Sequence, residues 1–444
     1  MTKKLVLAII FAAVLVFSLF SCGSGEDADN GFSGEVITLN VYNWGEYISD
    51  GFLGAPDTNA MFEEYFNENL AKKYGFYVEV NYTTYANNED MYSKLKSGAG
   101  TYDVIVPSDY MIQKMISEGM LLPFDATTLE NFVYIDEEFK GEGVVYDPGN
   151  LYSVPYTYGM LGIIYNSALV DEEDYATESW GLLWNEKYKG KLLQFNNPRD
   201  AFGSAMYYKN LNVNSDKLEV WDQALATLVA QKPLLQGYVN DEIFNKMTTA
   251  SAAVAPYFAG DFLTMAYQNE DLSFYYPTEG TNYFVDAMCI LKSSTKVDIA
   301  KEYINFMMSE EAAVANALYI GYASPNTLVV ESDEYREGMA ELHEDWYEIL
   351  YGVTPAEANE SYAYSPIYQS FSPEIQAHVN SLWESLKTEN STELWVHVTS
   401  ITLIVAVLSL AIYTTYIRKK RSKHYRMRDK EAARARANAK ETRN

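Results

Sequence analysis

An α/β fold built on a parallel sheet is the architecture this sequence points to, on three grounds. Between residues 36 and 120, β-branched or aromatic runs alternate with segments of helical apolar spacing, the signature of right-handed βαβ units. Glycines stand where the helical segments run out, at Gly75, Gly98 and Gly119. A compact apolar run at 102–106 is halted by Pro107, as expected of a buried strand.

In order, residues 36–42 alternate and predict the first strand. Residues 58–74 carry Met61, Phe62, Tyr65, Phe66 and Leu70 on one helical face. A second strand follows at 76–82, a short helix at 89–96, a third strand at 102–106 and a helix at 109–120. Past residue 150 the rhythm loosens. Strands are predicted at 152–156, 162–165, 251–258 and 284–291. Helices are predicted at 180–184, 201–211, 218–231, 297–308 and 310–318. The body carries no internal repeat or low-complexity tract.

The 444 residues predict two or more domains, and 33 Lys+Arg against 61 Asp+Glu leave a net charge of −28. This acidity argues against a nucleic-acid partner, which needs a basic face. A hydrophobic content of 48% is too high for a disordered chain, and two Cys exclude a disulfide scaffold or a Cys-based zinc site.

Both ends read as membrane signals. Lys3 and Lys4 precede an apolar run at 5–20, followed by Ser21, Cys22 and Gly23. This is the pattern of a secretory signal at 1–22, and Cys after Ser resembles the bacterial lipobox, with Cys22 as the lipidated residue. Phe20 is not a favoured lipobox residue. A small, polar tether is expected at 23–34. Near the other end, 395–417 are 23 residues without Asp, Glu, Lys or Arg, enough to span a bilayer as a helix. Arg418, Lys419, Lys420 and Arg421 follow, so the tail 418–444 is expected in the cytoplasm and the body outside. Residues 394–444 hold 12 basic and 3 acidic side chains, leaving 19 basic against 58 acidic in 23–393.

In open α/β sheets, ligands sit beyond the carboxyl ends of strands. Two segments qualify: Asn43-Trp44-Gly45-Glu46-Tyr47 after the first strand and Pro107-Ser108-Asp109-Tyr110 after the third. Each sets an aromatic ring beside a carboxylate. Such a pair suits a cation, because a carboxylate pairs with ammonium and an aromatic face attracts positive charge. Solvated surface acids beside surface rings are the plainer reading. No Ser-His-Asp spacing, HExxH or P-loop is present, so no enzyme, cofactor or metal site is expected. His343 reads as solvated, Cys289 as a buried thiol, and Trp180, Trp184 and Trp221 as packing residues.

Val41-Tyr42-Asn43-Trp44-Gly45-Glu46-Tyr47, Tyr102-Asp103-Val104-Ile105-Val106-Pro107-Ser108 and Ile320-Gly321-Tyr322-Ala323-Ser324-Pro325-Asn326 are among several blocks that resemble the bacterial spermidine/putrescine-binding proteins, the extracellular solute receptors of polyamine ABC transporters. The blocks keep the family's order over about 36–387. The resemblance implies a two-lobed type II periplasmic-binding-protein-like fold with a ligand cleft between the lobes. Lobe 1 would be 35–155 plus 286–330, and lobe 2 would be 156–285 plus 331–389. It implies ligand contacts from Trp44, Glu46, Tyr47, Ser108, Tyr110, Asp200, Phe258, Phe284, Asp286, Tyr322 and Gln369. The chain departs from the family at Asn197, where an Asp can stand, at Phe258 and Phe284, where Trp stands, and at Gly45, where Thr is frequent. Asp109 stands where an uncharged residue is expected and would restore the charge that Asn197 removes.

The implied function is a receptor for putrescine or spermidine that hands its ligand to membrane permease subunits. A diamine is charged at both ends near neutral pH and apolar between, which matches carboxylates flanking aromatic walls. The alternatives are a same-fold receptor for another cationic amino solute, or a membrane-tethered sensor ectodomain.

Overall fold

The computed structural model describes residues 34–354, 357–358, 363 and 366–388, and toward the C-terminus 402–403, 405–410 and 413–414. The signal at 1–22 with Cys22, the tether up to residue 33 and the basic tail 418–444 lie outside the described residues, as does most of the span 395–417. Among the described residues, no helix is long and apolar enough to cross a membrane. The chain divides into two units, Met1–Val379 and Asn380–Asn444. In the second, the helical pieces at 405–410 expose Val405, Val407, Leu408 and Leu410.

In the first unit, β1 (Val36–Trp44) pairs in parallel with β2 (Tyr77–Tyr85), from Val36 opposite Tyr77 to Trp44 opposite Tyr85. The crossover is the helix Thr58–Tyr65, capped by Asp57, whose carboxylate accepts from the Asn59 and Ala60 N–H groups. It runs on through a π turn to Tyr74 and stops at Gly75, at φ 87°. β3 (Val104–Ile105) flanks β1 in parallel and is shorter than expected. Buried Asp103 explains this: its carboxylate, rather than the ladder, accepts the Asn40 N–H and pairs with Lys296 at 3.0 Å. The helix Asp109–Ser117 also ends earlier than expected, before Gly119 at φ 66°.

Beyond β3 the sheet turns antiparallel. β9 (Tyr283–Ile290) pairs with β3 on one side and with β4 (Ser153–Asn166) on the other. β4 is one strand of 14 residues where two short ones were expected. It is buried almost throughout, so no polar alternation marks it as continuous, and Pro155 and Gly159 look like breaks. Its register against β9 shifts between Pro155 and Thr157, near its start. The far half of β4 pairs with β7 (Val254–Phe258) and β8 (Leu272–Tyr275). Next to β7 lie β5 (Leu192–Phe195) and β6 (Leu235–Val239), in parallel. The order is β2-β1-β3-β9-β4-β7-β5-β6, with β8 on β4.

The helix Leu218–Gln231 forms as expected. Residues 180–184 form a 3-10 turn rather than an α-helix. Trp180 and Trp221 are fully buried, each with its indole N–H on a backbone carbonyl, of Gly280 and Ser215. Half-buried Trp184 stacks on Tyr208. Cys289 is a buried thiol.

Candidate functional site

Five strand ends, of β1, β3, β5, β6 and β7, and the start of β9 converge on one cavity. β1 ends at Trp44, whose indole N–H donates to the Val106 carbonyl at 2.8 Å and whose ring lies 4.8 Å from Tyr85. The chain then turns through Glu46, at φ 51°, a left-handed conformation costly for a non-glycine residue. The turn leaves Glu46 exposed and sends Tyr47 inward. The Tyr47 hydroxyl donates to Asp286 Oδ2 at 2.6 Å and lies 2.5 Å from the Thr157 hydroxyl. After β3, Ser108 and Tyr110 are both held by the Asn88 amide, at 3.0 and 3.1 Å, and the Tyr110 hydroxyl donates to Glu89 at 3.0 Å.

The opposite wall follows the same rule. After β5, Asn197 caps the helix Pro198–Tyr208, accepting the Asp200 N–H at 2.8 Å and donating to Asp200 Oδ2 at 2.9 Å. Where the family can carry an Asp, the chain therefore has a cap that also holds the Asp200 carboxylate. Arg199, next in line, is buried and is not part of the cavity wall. Its guanidinium lies 4.1 and 4.0 Å from the Tyr368 and Phe371 rings and donates to the Val213 and Gln369 carbonyls. After β6 come Asn240 and Asp241. After β7, Phe258 opens the helix Ala259–Gln268, whose first turn carries Asp261. The Tyr322 hydroxyl donates to Asp261 Oδ2 at 2.6 Å.

The cavity holds about 930 Å³ of empty space, part of it open to solvent. Seven carboxylates line it: Glu46, Glu89, Asp109, Asp200, Asp241, Asp261 and Asp286. Among the described residues, no Lys or Arg does. Phe258, Phe284, Tyr322 and Tyr47 form a continuous aromatic wall, with Phe258 and Phe284 centred 5.3 Å apart and Tyr47 and Tyr322 5.4 Å apart.

Crowding these acids away from water raises their proton affinity. Burial, opposed by the Ser108 and Tyr47 hydroxyls, pushes Asp286 up to about 6. Burial, with Glu89 and Asp286 adding repulsion, takes Asp200 to about 7. Asp261 rises to about 7 through burial and the charges of Asp241 and Glu46. Asp109 rises furthest, to about 8, through burial and Asp286, although the Tyr110 and Val285 N–H groups donate to it. It is therefore a poor replacement for a permanent negative charge at neutral pH. Asp286 Oδ1 is a buried acceptor without a hydrogen-bond partner. Such a site gains from a ligand that brings positive charge to its acids and aliphatic surface to its rings.

Of the residues singled out in the sequence, Trp44, Glu46, Tyr47, Ser108, Tyr110, Asp200, Phe258, Phe284, Asp286 and Tyr322 all line this cavity. Gln369 does not. It is exposed, and its backbone carries the Arg199 and Asn214 contacts, while its neighbour Tyr368 faces the cavity. Sequence reasoning also missed Glu89, Asp241, Asp261 and Asn282. Asp261 follows the end of a predicted strand as Glu46 does, so the same rule would have found it. Asp241 follows β6, which was not predicted, and the position of Glu89 on a helix carried no signal.

A family model described as bacterial extracellular solute-binding protein matches residues 99–343. A spermidine/putrescine-binding periplasmic protein of Salmonella typhimurium is 31% identical over 290 residues, 65% of this chain and 78% of that protein. A putrescine/cadaverine-binding protein of Pseudomonas aeruginosa is 27% identical over 303 residues, 65% of this chain and 79% of that one. Among solved structures, a spermidine/putrescine ABC transporter substrate-binding protein of Streptococcus pneumoniae superposes with a TM-score of 0.59 at 32% identity, over 79% of this chain and 98% of that one. A Treponema pallidum lipoprotein, at 24% identity, shares the fold with a TM-score of 0.64 over 79% of this chain and 99% of its own.

Proposed function

The chain belongs to the bacterial extracellular solute-binding proteins, in the group of spermidine/putrescine-binding proteins, and from that premise we propose that it is the polyamine receptor of an ABC transporter. The observation that carries this is the cavity: seven carboxylates around aromatic rings, with no cationic side chain among the described residues of its wall. Such a wall repels anions and gives each end of a protonated diamine a carboxylate partner.

In this reading Asp286, Asp200 and Glu46 meet ammonium groups, and Trp44, Tyr47, Phe258, Phe284 and Tyr322 cover the methylene chain. Ser108 and Tyr110 hold the inner wall. The lobes are 35–155 with 286–330 and 156–285 with 331–389, and they close on the ligand. The register shift in β4 between Pro155 and Thr157, with Thr157 opposite Asp286 of β9, supports a hinge there. Closure follows from the ligand's higher affinity for the shut form, and the shut form docks on the permease.

The receptor is held at the membrane by lipid on Cys22 and by a helix at 395–417, with 418–444 inside. The exposed apolar side chains of 405–410 support a lipid-facing span. Calorimetric titration of the detergent-solubilised full chain with putrescine and spermidine tests the receptor. Absence of heat and of a thermal shift with both refutes it. A cysteine placed at residue 440 should resist membrane-impermeant thiol reagents on intact cells, and its labelling would overturn the topology.

A further inference from the structure

The acids of the cavity have a cation behind them. Arg199 precedes Asp200 on the helix Pro198–Tyr208 and is buried. A buried charge ordinarily sits against an opposite one. Among the described residues, no carboxylate forms an ion pair with Arg199. Four rings surround it instead: Tyr368 at 4.1 Å, Phe371 at 4.0 Å, Tyr110 at 5.6 Å and Trp221 at 5.9 Å. The guanidinium donates to the Val213 carbonyl, the Gln369 carbonyl and Asn214 Oδ1, at 3.2, 3.2 and 3.0 Å. Its Nε is buried without an acceptor. Aromatic faces hold a cation without cancelling its charge. A direct ion pair would occupy the Asp200 carboxylate, which instead rests on the Asn197 amide and lines the cavity.

The same helix seats Tyr368, the ring that lines the cavity from the segment 366–371. The Tyr368 hydroxyl is buried without a hydrogen-bond partner, so its own polar group does not fix it. Two other features do. Asn214 accepts the Gln369 N–H at 2.9 Å, donates to the Ile367 carbonyl at 2.9 Å and is itself held by Arg199. One turn beyond Arg199, Gly203 leaves a hollow for the hydroxyl: a Cβ there would stand 2.0 Å from it and 3.1 Å from Cζ. The ring is thus gripped between a guanidinium and a missing side chain, 6.2 Å from the Tyr110 ring.

Resting on the receptor reading above, we infer that Arg199 is a positioning residue of the site. It stays out of the cavity, seats Tyr368 in the wall together with Gly203, and keeps a fixed positive charge behind Asp200, Asp109 and Glu89. An arginine stays protonated even when buried. Its charge lowers the proton affinity of these three acids, against burial and the repulsion of Asp286. The other titratable groups facing them are Tyr110, Tyr146, Tyr368 and Lys114. Without Arg199, more of the acids would carry protons near neutral pH, and an ammonium ligand would find fewer charges.

The test titrates the full chain with putrescine and spermidine at pH 6.5 and 8.5. The variants are Arg199→Gln, Arg199→Lys, Gly203→Ala, Tyr368→Phe and Gly203→Ala with Tyr368→Phe. Arg199→Gln should widen the ratio of affinity at pH 8.5 to that at pH 6.5 by about threefold, as the acids hold protons to higher pH. Arg199→Lys keeps the charge and loses the planar fork. Gly203→Ala keeps Arg199 and displaces the ring. Each of these two should lower affinity by about threefold to tenfold at both pH values, with the wild-type ratio. Adding Tyr368→Phe to Gly203→Ala removes the colliding oxygen and should restore affinity to within about twofold of Tyr368→Phe alone. Melting of each unliganded variant separates lost folding from lost binding. A wild-type ratio in folded Arg199→Gln overturns the charge role. Wild-type affinity in Arg199→Lys or Gly203→Ala overturns the seating. Where neither variant at 199 folds, failure of Tyr368→Phe to rescue Gly203→Ala overturns it. A wild type that binds neither polyamine overturns the receptor reading itself.

Discussion

The two ends of the cavity are built from the same parts and behave differently. Inside, Asp286 and Asp109 are buried beside backbone and hydroxyl donors. Outside, Glu46 and Asp241 are open to solvent, and half-buried Asp261 is held by a single tyrosine. Depth sets what each carboxylate can do. Water reaches and screens Glu46 and Asp241, whereas Asp261, like the inner acids, is pushed up by burial, to about 7. The inner acids either find a cation or take up a proton. The difference implies that the buried acids supply most of the affinity.

The largest effect that could break this contrast is expected at Asp286. Asp286→Ala should cost about 2–5 kcal/mol of polyamine binding, the usual loss when one partner of a buried charged pair is removed. Calorimetry showing less than a threefold change would place the ligand elsewhere. Next is Gly260→Ala. The added Cβ would meet Tyr322 Cδ1 at 2.0 Å and the Gly321 carbonyl at 2.8 Å. Overpacking of this kind costs about 1–3 kcal/mol and should displace Tyr322 from Asp261. A denaturation midpoint equal to wild type would show that Tyr322 shifts freely and does not anchor the outer end.

Proton uptake sharpens the comparison further. Asp286 near 6, with Asp200 and Asp261 near 7, stands above the unfolded value of about 3.9. The folded, unliganded protein therefore binds more protons than the unfolded chain. Its extra stability is complete below about pH 4 and is lost as pH rises through 6 to 7. The unliganded protein should unfold at a lower temperature at pH 8 than at pH 5, in melts at matched salt. Polyamine affinity should move the opposite way, rising roughly tenfold from pH 6 to pH 8 as these acids ionise while the amines stay charged. A flat profile would mean that the acids are already ionised in the empty site. The smallest effect is expected at Asp109. Pushed up to about 8, it is mostly neutral at pH 7, so Asp109→Asn should change affinity there by less than about threefold. A larger loss would show that the ligand ionises it.

Legibility in the sequence followed the same division. β1, β2 and the helices between them declare themselves through alternation and helical spacing, because one face of each meets solvent. The segments after β1 and β3 were found by the rule that ligands sit beyond strand ends. β4 was read as two strands because burial on both faces erases the pattern. β5, β6 and β8, of four or five residues, were not read at all. With β6 went Asp241. Tyr368 rather than Gln369 lines the cavity, and nothing in a short loop sequence says which of two neighbours faces inward.

By itself, the sequence determined the alternating α/β character, the acidic body with its apolar and basic C-terminal end, and the aromatic–carboxylate pairs after the first strands. These are local properties, set by periodicity and by neighbours in the chain. The tertiary structure decided the number of acids that share one cavity, which of them hold protons, and the seating of Tyr368 between Arg199 and Gly203. Those depend on distances between residues far apart in the chain, such as Tyr47 and Asp286, 239 positions apart. Electrostatic coupling and steric clearance act through space, and only the folded sheet brings its strand ends within their reach.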